Sequence, residues 1–337
     1  MPVGVILATY GEPERNSFVE QWMYSYRILE RLTRKIAPIP RAVLPIIATA
    51  RARGRVKLWS EHNFRSPLEP LHEKTVAALT AELSRRGLAS DVLVTKAYEF
   101  RRPDLRDALR QLTAAGCKRA VVVPMYVASG DFTHGMTELA LQSALQSERD
   151  WSRQRIAMCP LTIDETTIQR LVRTLVDHFQ RSVERAGIRL PARDWGVMLA
   201  AHGTVINPPP GVDNGLVEFG KLLLQLKRAL KPHAGLVRVG WLNHTRGGKW
   251  TTPDVPTALR QMQRHGIRKL VYFPWGFTTD NAETALEGRI ALKDLDTPFE
   301  RVEYLHCLND SPEFVNLLAD RVVSTLNGSF RPQFALA

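Results

Sequence analysis

The chain repeats itself. Val5-Ile6-Leu7-Ala8-Thr9-Tyr10-Gly11 has a counterpart in Val197-Met198-Leu199-Ala200-Ala201-His202-Gly203. Ala108-Leu109-Arg110-Gln111 leads through Gly116 to Val121-Val122-Val123-Pro124, and Ala258-Leu259-Arg260-Gln261 leads through Gly266 to Val271-Tyr272-Phe273-Pro274. Ala258 lies 150 positions after Ala108, and Pro274 lies the same distance after Pro124. Such self-similarity predicts two related units facing one another, and a cleft between units is the default place for a ligand. The two opening strands end on different polar residues, Tyr10 and His202, each followed by a glycine.

Within each unit the pattern alternates. Residues 3–8 form an apolar, β-branched run ending in a glycine turn, as a buried parallel strand does. Residues 14–35 place Phe18, Trp22, Tyr26 and Leu29 at spacings of three and four, which predicts an amphipathic helix. Ala37 to Pro45 is proline-rich and predicts a loop, and a helix follows Ser66-Pro67-Leu68. Strands are then expected at 92–97, 119–124 and 155–158, with helices at 104–115, 133–148 and 165–185. The second half repeats the order: strands at 196–201, 236–241, 269–274 and 301–305, helices at 214–229, 254–264, 281–292 and 311–326.

Strands alternating with helices imply right-handed βαβ units on parallel sheets. The expected fold is therefore α/β: two similar doubly wound, Rossmann-like units with parallel sheets and the active-site cleft between them. Gly, Pro and charges interrupt the pattern from Gly187 to Arg193. That places an N-terminal domain at 1–187, a C-terminal domain at 188–327 and a loose tail at 328–337.

A chain of 337 residues has room for two domains that each bury a core. Its net charge of +12 could meet nucleic acid, anionic lipid or an acidic small molecule. The basic residues are scattered and no binding motif accompanies them, which argues against nucleic acid. Arg51-Ala52-Arg53-Gly54-Arg55-Val56-Lys57 reads first as a solvated loop or helix face, and second as a contact for a polycarboxylate substrate or an anionic membrane surface. Cys117, Cys159 and Cys307 have no metal-ligand spacing and read as buried, reduced thiols. No apolar run is long enough to span a bilayer, and the first residues read as a strand rather than a signal peptide. A cytoplasmic location is expected.

In doubly wound sheets ligands bind beyond the carboxyl ends of the strands. Tyr10, His202 and the turn Pro274-Trp275-Gly276-Phe277, which leads to Asp280-Asn281-Ala282-Glu283, all fall at such ends. Glu283 and Glu287, four apart on a helix, share a face. Two carboxylates, an imidazole and a phenol make a site for a divalent cation. Each residue also has an ordinary role: a turn histidine, glutamates favoured by a helix dipole, a tyrosine closing a core. Their joint placement at equivalent strand ends is the stronger signal. There is no Gly-x-Gly-x-x-Gly or Walker loop, and Ser66 lacks the setting of a nucleophile elbow.

Taken in order, these segments resemble ferrochelatases, which insert ferrous iron into a porphyrin during haem synthesis. The resemblance rests on Leu7-Ala8-Thr9-Tyr10-Gly11-Glu12-Pro13, Ser66-Pro67-Leu68, Ala201-His202-Gly203, Trp250-Thr251-Thr252-Pro253-Asp254, and Pro274 through Glu283. It implies His202 and Glu283 as catalytic residues handling metal and protons, with Glu287 joining them toward the metal. It implies Tyr10, Arg27, Ser66 and Trp250 as substrate-binding residues. Fe2+ is expected as substrate, with no tightly bound cofactor and no iron–sulfur cluster. Tyr10 is similar to the residue found in the coproporphyrin-using subclass, and Arg27 falls where that subclass has a basic residue near a propionate.

By the same resemblance the helix at 14–35 is part of a lid, with Trp22 and Tyr26 either touching the porphyrin or simply packing. The expected partners are the porphyrin and, at most, a peripheral membrane surface or another enzyme of the haem pathway. The chain departs from the family at Thr204-Val205, where a proline is usual, at Asn281, where a histidine is usual, at Ala291, where an acid is frequent, and across Tyr98-Glu99-Phe100-Arg101. A cobalt or nickel tetrapyrrole chelatase and a non-catalytic porphyrin or haem binder remain as alternatives.

Overall fold

The computed structural model describes residues 2–35, 39–243 and 249–328. The expected tail therefore lies, apart from Gly328, outside the described residues.

The first half contains β1 (Val3–Thr9), α1 (Phe18–Lys35), α2 (Leu44–Glu61), α3 (Leu68–Arg85), β2 (Val92–Tyr98), α4 (Leu105–Ala114), β3 (Arg119–Pro124), α5 (His134–Leu145), β4 (Ile156–Met158) and α6 (Glu165–Arg185). The second contains β5 (Ala192–His202), α7 (Leu216–Leu230), β6 (Ala234–Leu242), α8 (Val255–Arg264), β7 (Lys269–Phe273), α9 (Gly288–Lys293), β8 (Arg301–Tyr304) and α10 (Pro312–Asn327). Two four-stranded sheets result, ordered β2-β1-β3-β4 and β6-β5-β7-β8. Every strand pair is parallel. The duplication read in the sequence is thus a duplication of topology. It extends to the helix starts: Asp104 and Asp254 each cap the following helix through a side-chain oxygen, on the amides of Asp107 and Thr257.

Strand alternation divides the interior. Ile6, Ala8, Ala120 and Val122 face α4 and α5, and Met198, Ala200, Leu270 and Tyr272 face α8. The opposite faces do not bury separately. Val5, Leu7, Val121 and Val123 of one sheet join Val197, Leu199, Val271 and Phe273 of the other in one continuous core. Leu222, Leu226 and Leu230 of α7, and Phe314, Leu318 and Val322 of α10, belong to it too. Each half thus buries a core of its own on one face of its sheet, and the two halves share the largest one.

Helix α10 shows how. It follows the second sheet in sequence yet packs on α3, α6 and β3 of the first half. Arg86, just after α3, reaches Asp320 at 2.7 Å, Arg321 donates to the Pro160 carbonyl at 2.9 and 3.1 Å, and His178 of α6 meets Glu313 at 2.9 Å.

Two local expectations are corrected. Helix α1 starts at Phe18 rather than at residue 14, because the Ser17 hydroxyl accepts the Glu20 amide as a cap does. Residues 44–61, read as the end of a loop followed by a solvated segment, form α2, whose inner stripe is Leu44, Ala48, Ala52 and Trp59. Trp22 and Tyr26 stack on each other at 5.1 Å and pack against that stripe, with the Trp22 indole donating to Thr49. They join α1 to α2. All three cysteines are free and buried.

Candidate active site

Beyond the carboxyl ends of the central strands, β1 and β5, the chain turns sharply. In both sheets this is the point where strand order reverses, the usual ligand position in such folds. Gly11 follows Tyr10 with φ of +75°, and a Cβ there would lie 2.7 Å from the Cβ of Tyr98. Gly203 follows His202 at a spot where a Cβ would strike the Asn243 side chain. The glycine after each polar residue therefore has its own steric reason.

His202 ends β5 with half its side chain exposed, and its Nε2 lies 3.9 Å from Glu283 Oε1. Phe277 meets the imidazole edge-on, 6.5 Å between centroids. Glu283 opens a π-helical turn, Glu283–Glu287, and not the plain α-helix the periodicity predicts. Such turns gather at functional sites. In this one Thr284 and Leu286 are buried, while Glu283, Ala285 and Glu287 are only partly so.

The turn is held from several sides. Asn281 accepts the amides of Glu283 (2.8 Å) and Thr284 (3.2 Å) on its side-chain oxygen, and its backbone carbonyl accepts the Ala285 amide at 2.7 Å. The departure at Asn281 is thereby explained: the residue is a cap. Asp280 accepts from His306 (2.7 Å), Asn309 (2.9 Å) and the Cys307 amide (3.0 Å). Burial opposes its ionisation, but these donors outweigh it and hold its pKa at about 2. The Tyr304 hydroxyl donates to the Thr284 carbonyl.

The Tyr10 hydroxyl is buried without a hydrogen-bond partner. Burial first, then Glu12 and Glu283, push its pKa well above the usual phenol value, so it is a neutral phenol. Two residues on, Glu12 is 4% exposed. Burial raises its pKa, while Arg55, the Ser66 hydroxyl and the Ala282 amide pull it down and Glu283 pushes it up. Arg55 Nη2 lies 3.8 Å from Glu12 Oε1, and its guanidinium covers the rings of Tyr24 and Trp59 at 5.0 and 5.3 Å. Glu12, Glu283 and Glu287 all favour its charged form.

The other expected residues are dispersed. Ser66 is 7% exposed; its hydroxyl donates to Glu12 and accepts the Leu68 amide at 3.2 Å, supporting the site from behind. Arg27 donates to the Phe100 carbonyl at 3.2 Å. Trp250 is partly buried and bridges Val205 where residues 204–206 pair with 249–251. Among the described residues no three His, Cys, Asp or Glu side chains gather as a metal-holding group. His202 and Glu283 come together, without Glu287 completing a trio.

Glu12, Tyr24 and Arg55 escaped the sequence reading. The only sequence signal for Glu12 is a carboxylate two residues past Tyr10 in the same tight turn. Arg55 lay in a segment that reads first as solvent-facing and only second as a polycarboxylate or membrane contact, with no buried carboxylate partner foreseen.

Residues 2–326 match the family model described as Ferrochelatase. The chain belongs to the ferrochelatase family, enzymes that insert a metal ion into a porphyrin. Among curated relatives, the ferrochelatase of Synechococcus elongatus is 24% identical over 99% of this chain and 84% of its own length. That of Methylibium petroleiphilum is 28% identical over 96% and 88%. Among solved structures, SirB from Bacillus subtilis with Fe3+ aligns at TM-score 0.54 and 12% identity, over 98% of this chain and 99% of that one. The sirohydrochlorin chelatase SirB from Bacillus subtilis subspecies spizizenii, in complex with cobalt, aligns at 0.52 and 11%, with the same coverage. These structural likenesses establish the chelatase-type fold. No helix among the described residues is long and apolar enough to cross a membrane.

Proposed function

We propose that this ferrochelatase-family chain inserts Fe2+ into coproporphyrin III in preference to protoporphyrin IX, as a cytoplasmic step of haem synthesis. The observation that carries the catalytic part is the His202–Glu283 pair, 3.9 Å apart, brought together from a strand end and a π-turn. That gap exceeds a hydrogen bond. It is close to the span of two metal–ligand bonds of about 2.0–2.2 Å each. One atom in transit can therefore touch both side chains.

The reaction exchanges two pyrrole protons for one divalent ion, so the site must take up protons as the metal leaves its ligands. His202, half exposed, can accept a proton or hold the ion. Glu283 can accept the second and pass it along the same face to Glu287. The macrocycle supplies four nitrogens, so two protein groups suffice to hand the ion over. Tyr10, a neutral phenol, adds no charge to compete for the ion.

The coproporphyrin preference is supported by Tyr10 and by the cations on α1 and α2, namely Arg27, Arg31, Arg51 and Arg55. A substrate with four carboxylates gains from more such partners than one with two. Exposed Val19, Met23 and Ile46 on the same two helices support peripheral contact with a membrane surface. The deciding experiment is anaerobic metallation of coproporphyrin III and protoporphyrin IX with Fe2+, Co2+ and Ni2+. Faster turnover of coproporphyrin III with Fe2+ upholds the proposal. Preference for protoporphyrin IX overturns the substrate assignment, preference for Co2+ or Ni2+ overturns the metal, and binding without turnover overturns catalysis.

A further inference from the structure

The π-turn that carries Glu283 begins, like any helix, with backbone amides that lack partners within the helix. Here each of the first four has an acceptor. The Thr284 hydroxyl takes that of Asn281, and the Asn281 side-chain oxygen takes those of Glu283 and Thr284. The remaining one, Ala282 N–H, donates at 3.0 Å to Glu12 Oε2. It is the one amide of the four held by the other half of the molecule, and it belongs to the residue immediately before Glu283.

Glu12 is built for that bond. The turn carrying it is fixed by the positive φ of Gly11 and by Arg101, whose guanidinium donates to the Glu12 carbonyl at 3.0 Å. The oxygen that accepts Ala282 N–H also accepts the Ser66 hydroxyl ahead of α3. The other oxygen faces Arg55 of α2. One buried carboxylate thus joins the Tyr10 turn, α2, the start of α3 and the Glu283 turn. A charged group this deeply buried is costly unless it is fully engaged.

We infer that Glu12 is a positioning residue, which sets the separation between Tyr10 and Glu283 across the cleft by fixing the Ala282 amide. It acts through the backbone and need not touch the reacting atoms. Misplacement of a reacting group by about 1 Å can cost roughly a hundredfold in rate, so a bond one residue from Glu283 has leverage on turnover. The inference rests on the proposed metal insertion for its kinetic readout and has a second readout that does not.

The test compares Glu12→Ala and Glu12→Gln with the wild type. Gln keeps an oxygen acceptor for Ala282 N–H and Ser66; Ala keeps none. With Fe2+ and the preferred porphyrin, Glu12→Ala should lower kcat roughly ten- to hundredfold with the porphyrin KM within about twofold of wild type, and Glu12→Gln should recover most of the loss. Amide hydrogen exchange across residues 279–288 should accelerate in Glu12→Ala and not in Glu12→Gln. A wild-type kcat in Glu12→Ala, a loss confined to KM, or unchanged exchange across 279–288 would overturn the inference. If the wild-type protein metallates no porphyrin, the proposed function fails, and the exchange comparison alone still decides whether Glu12 holds the turn. If Glu12→Ala does not fold, Glu12→Gln with a wild-type kcat supports the inference, and Glu12→Gln as impaired in kcat as His202→Ala overturns it.

Discussion

His202 Nε2 and Glu283 Oε1 face each other at 3.9 Å, too far for a hydrogen bond and close enough to share one small ion. Neither supports much core: His202 has half its side chain in solvent, and Glu283 is 17% exposed. His202→Ala should therefore abolish metallation with little change in thermal midpoint. Glu283→Gln keeps the size and removes the titratable oxygen, so turnover should fall by at least about a hundredfold, within the range for a lost acid–base group, with porphyrin binding retained. Steady-state rates and porphyrin fluorescence quenching check both. Near wild-type turnover in either variant would remove that residue from the mechanism.

Tyr10 offers a different contrast. A buried hydroxyl without a partner is a standing cost, so Tyr10→Phe should leave stability unchanged or raise it by up to about 1 kcal/mol. Turnover should fall less than in His202→Ala, because a neutral phenol carries no proton away. If the phenol oxygen touches the product iron, the optical spectrum of the product complex, oxidised to the ferric state by air, should change in the variant. A large loss of stability in chemical denaturation would mean that the hydroxyl has a partner.

The proposed coproporphyrin preference depends on cations that have something to spare. Arg27 spends one donor on the Phe100 carbonyl and has others for a carboxylate. Arg27→Ala should narrow the ratio of kcat/KM between coproporphyrin III and protoporphyrin IX by about tenfold, the worth of one charge-assisted bond. An unaltered ratio would remove Arg27 from substrate discrimination.

The shared core predicts shared unfolding. Phe314 is fully buried on α10 among residues from both sheets. Phe314→Ala should cost about 3–5 kcal/mol, and both halves should melt together in one transition at a lower midpoint. Two separated transitions, with only the second half weakened, would show that the halves bury independent cores.

How far the sequence went follows from where the information sits. Strands β1, β3, β5 and β7 were legible because buried parallel strands are continuous apolar runs, and their repetition exposed the duplicated topology. Tyr10 and His202 were legible as polar residues abruptly ending such runs. Helix α2 was not, because its inner stripe uses Ala48 and Ala52, which give little contrast against the arginines around them. The π-turn was invisible because it covers only five residues, Glu283–Glu287, too few for a change of period to show. The Glu12–Arg55 pair was missed because a charge reads as solvent-facing until its distant partner is known. The shared core depends on α10 crossing to the first half, a contact between residues far apart in sequence.

A final prediction concerns acid. His72 and His134 are both buried, and burial lowers each to a pKa of about 4; the Leu7 carbonyl beside His72 only partly offsets this. In the unfolded chain each should titrate near about 6.5. Between those values the unfolded chain binds more protons, so their contribution to stability is whole above pH 6.5 and declines as pH falls toward 4. The slope approaches about 1.4 kcal/mol per pH unit for each histidine. Other buried groups oppose it: Glu12 and Glu99, both raised by burial, and His306, raised by Asp280, favour the folded state as pH falls. Asp280, at about 2, does not change charge in this window. The histidine part is isolated by comparing wild type with the double variant His72→Gln, His134→Gln in urea denaturation at pH 7 and pH 5. The double variant should start less stable at pH 7, since His72 loses a well-placed bond to Leu7, yet lose less on acidification than wild type. Parallel losses in the two proteins would show that these histidines are not held neutral by the fold.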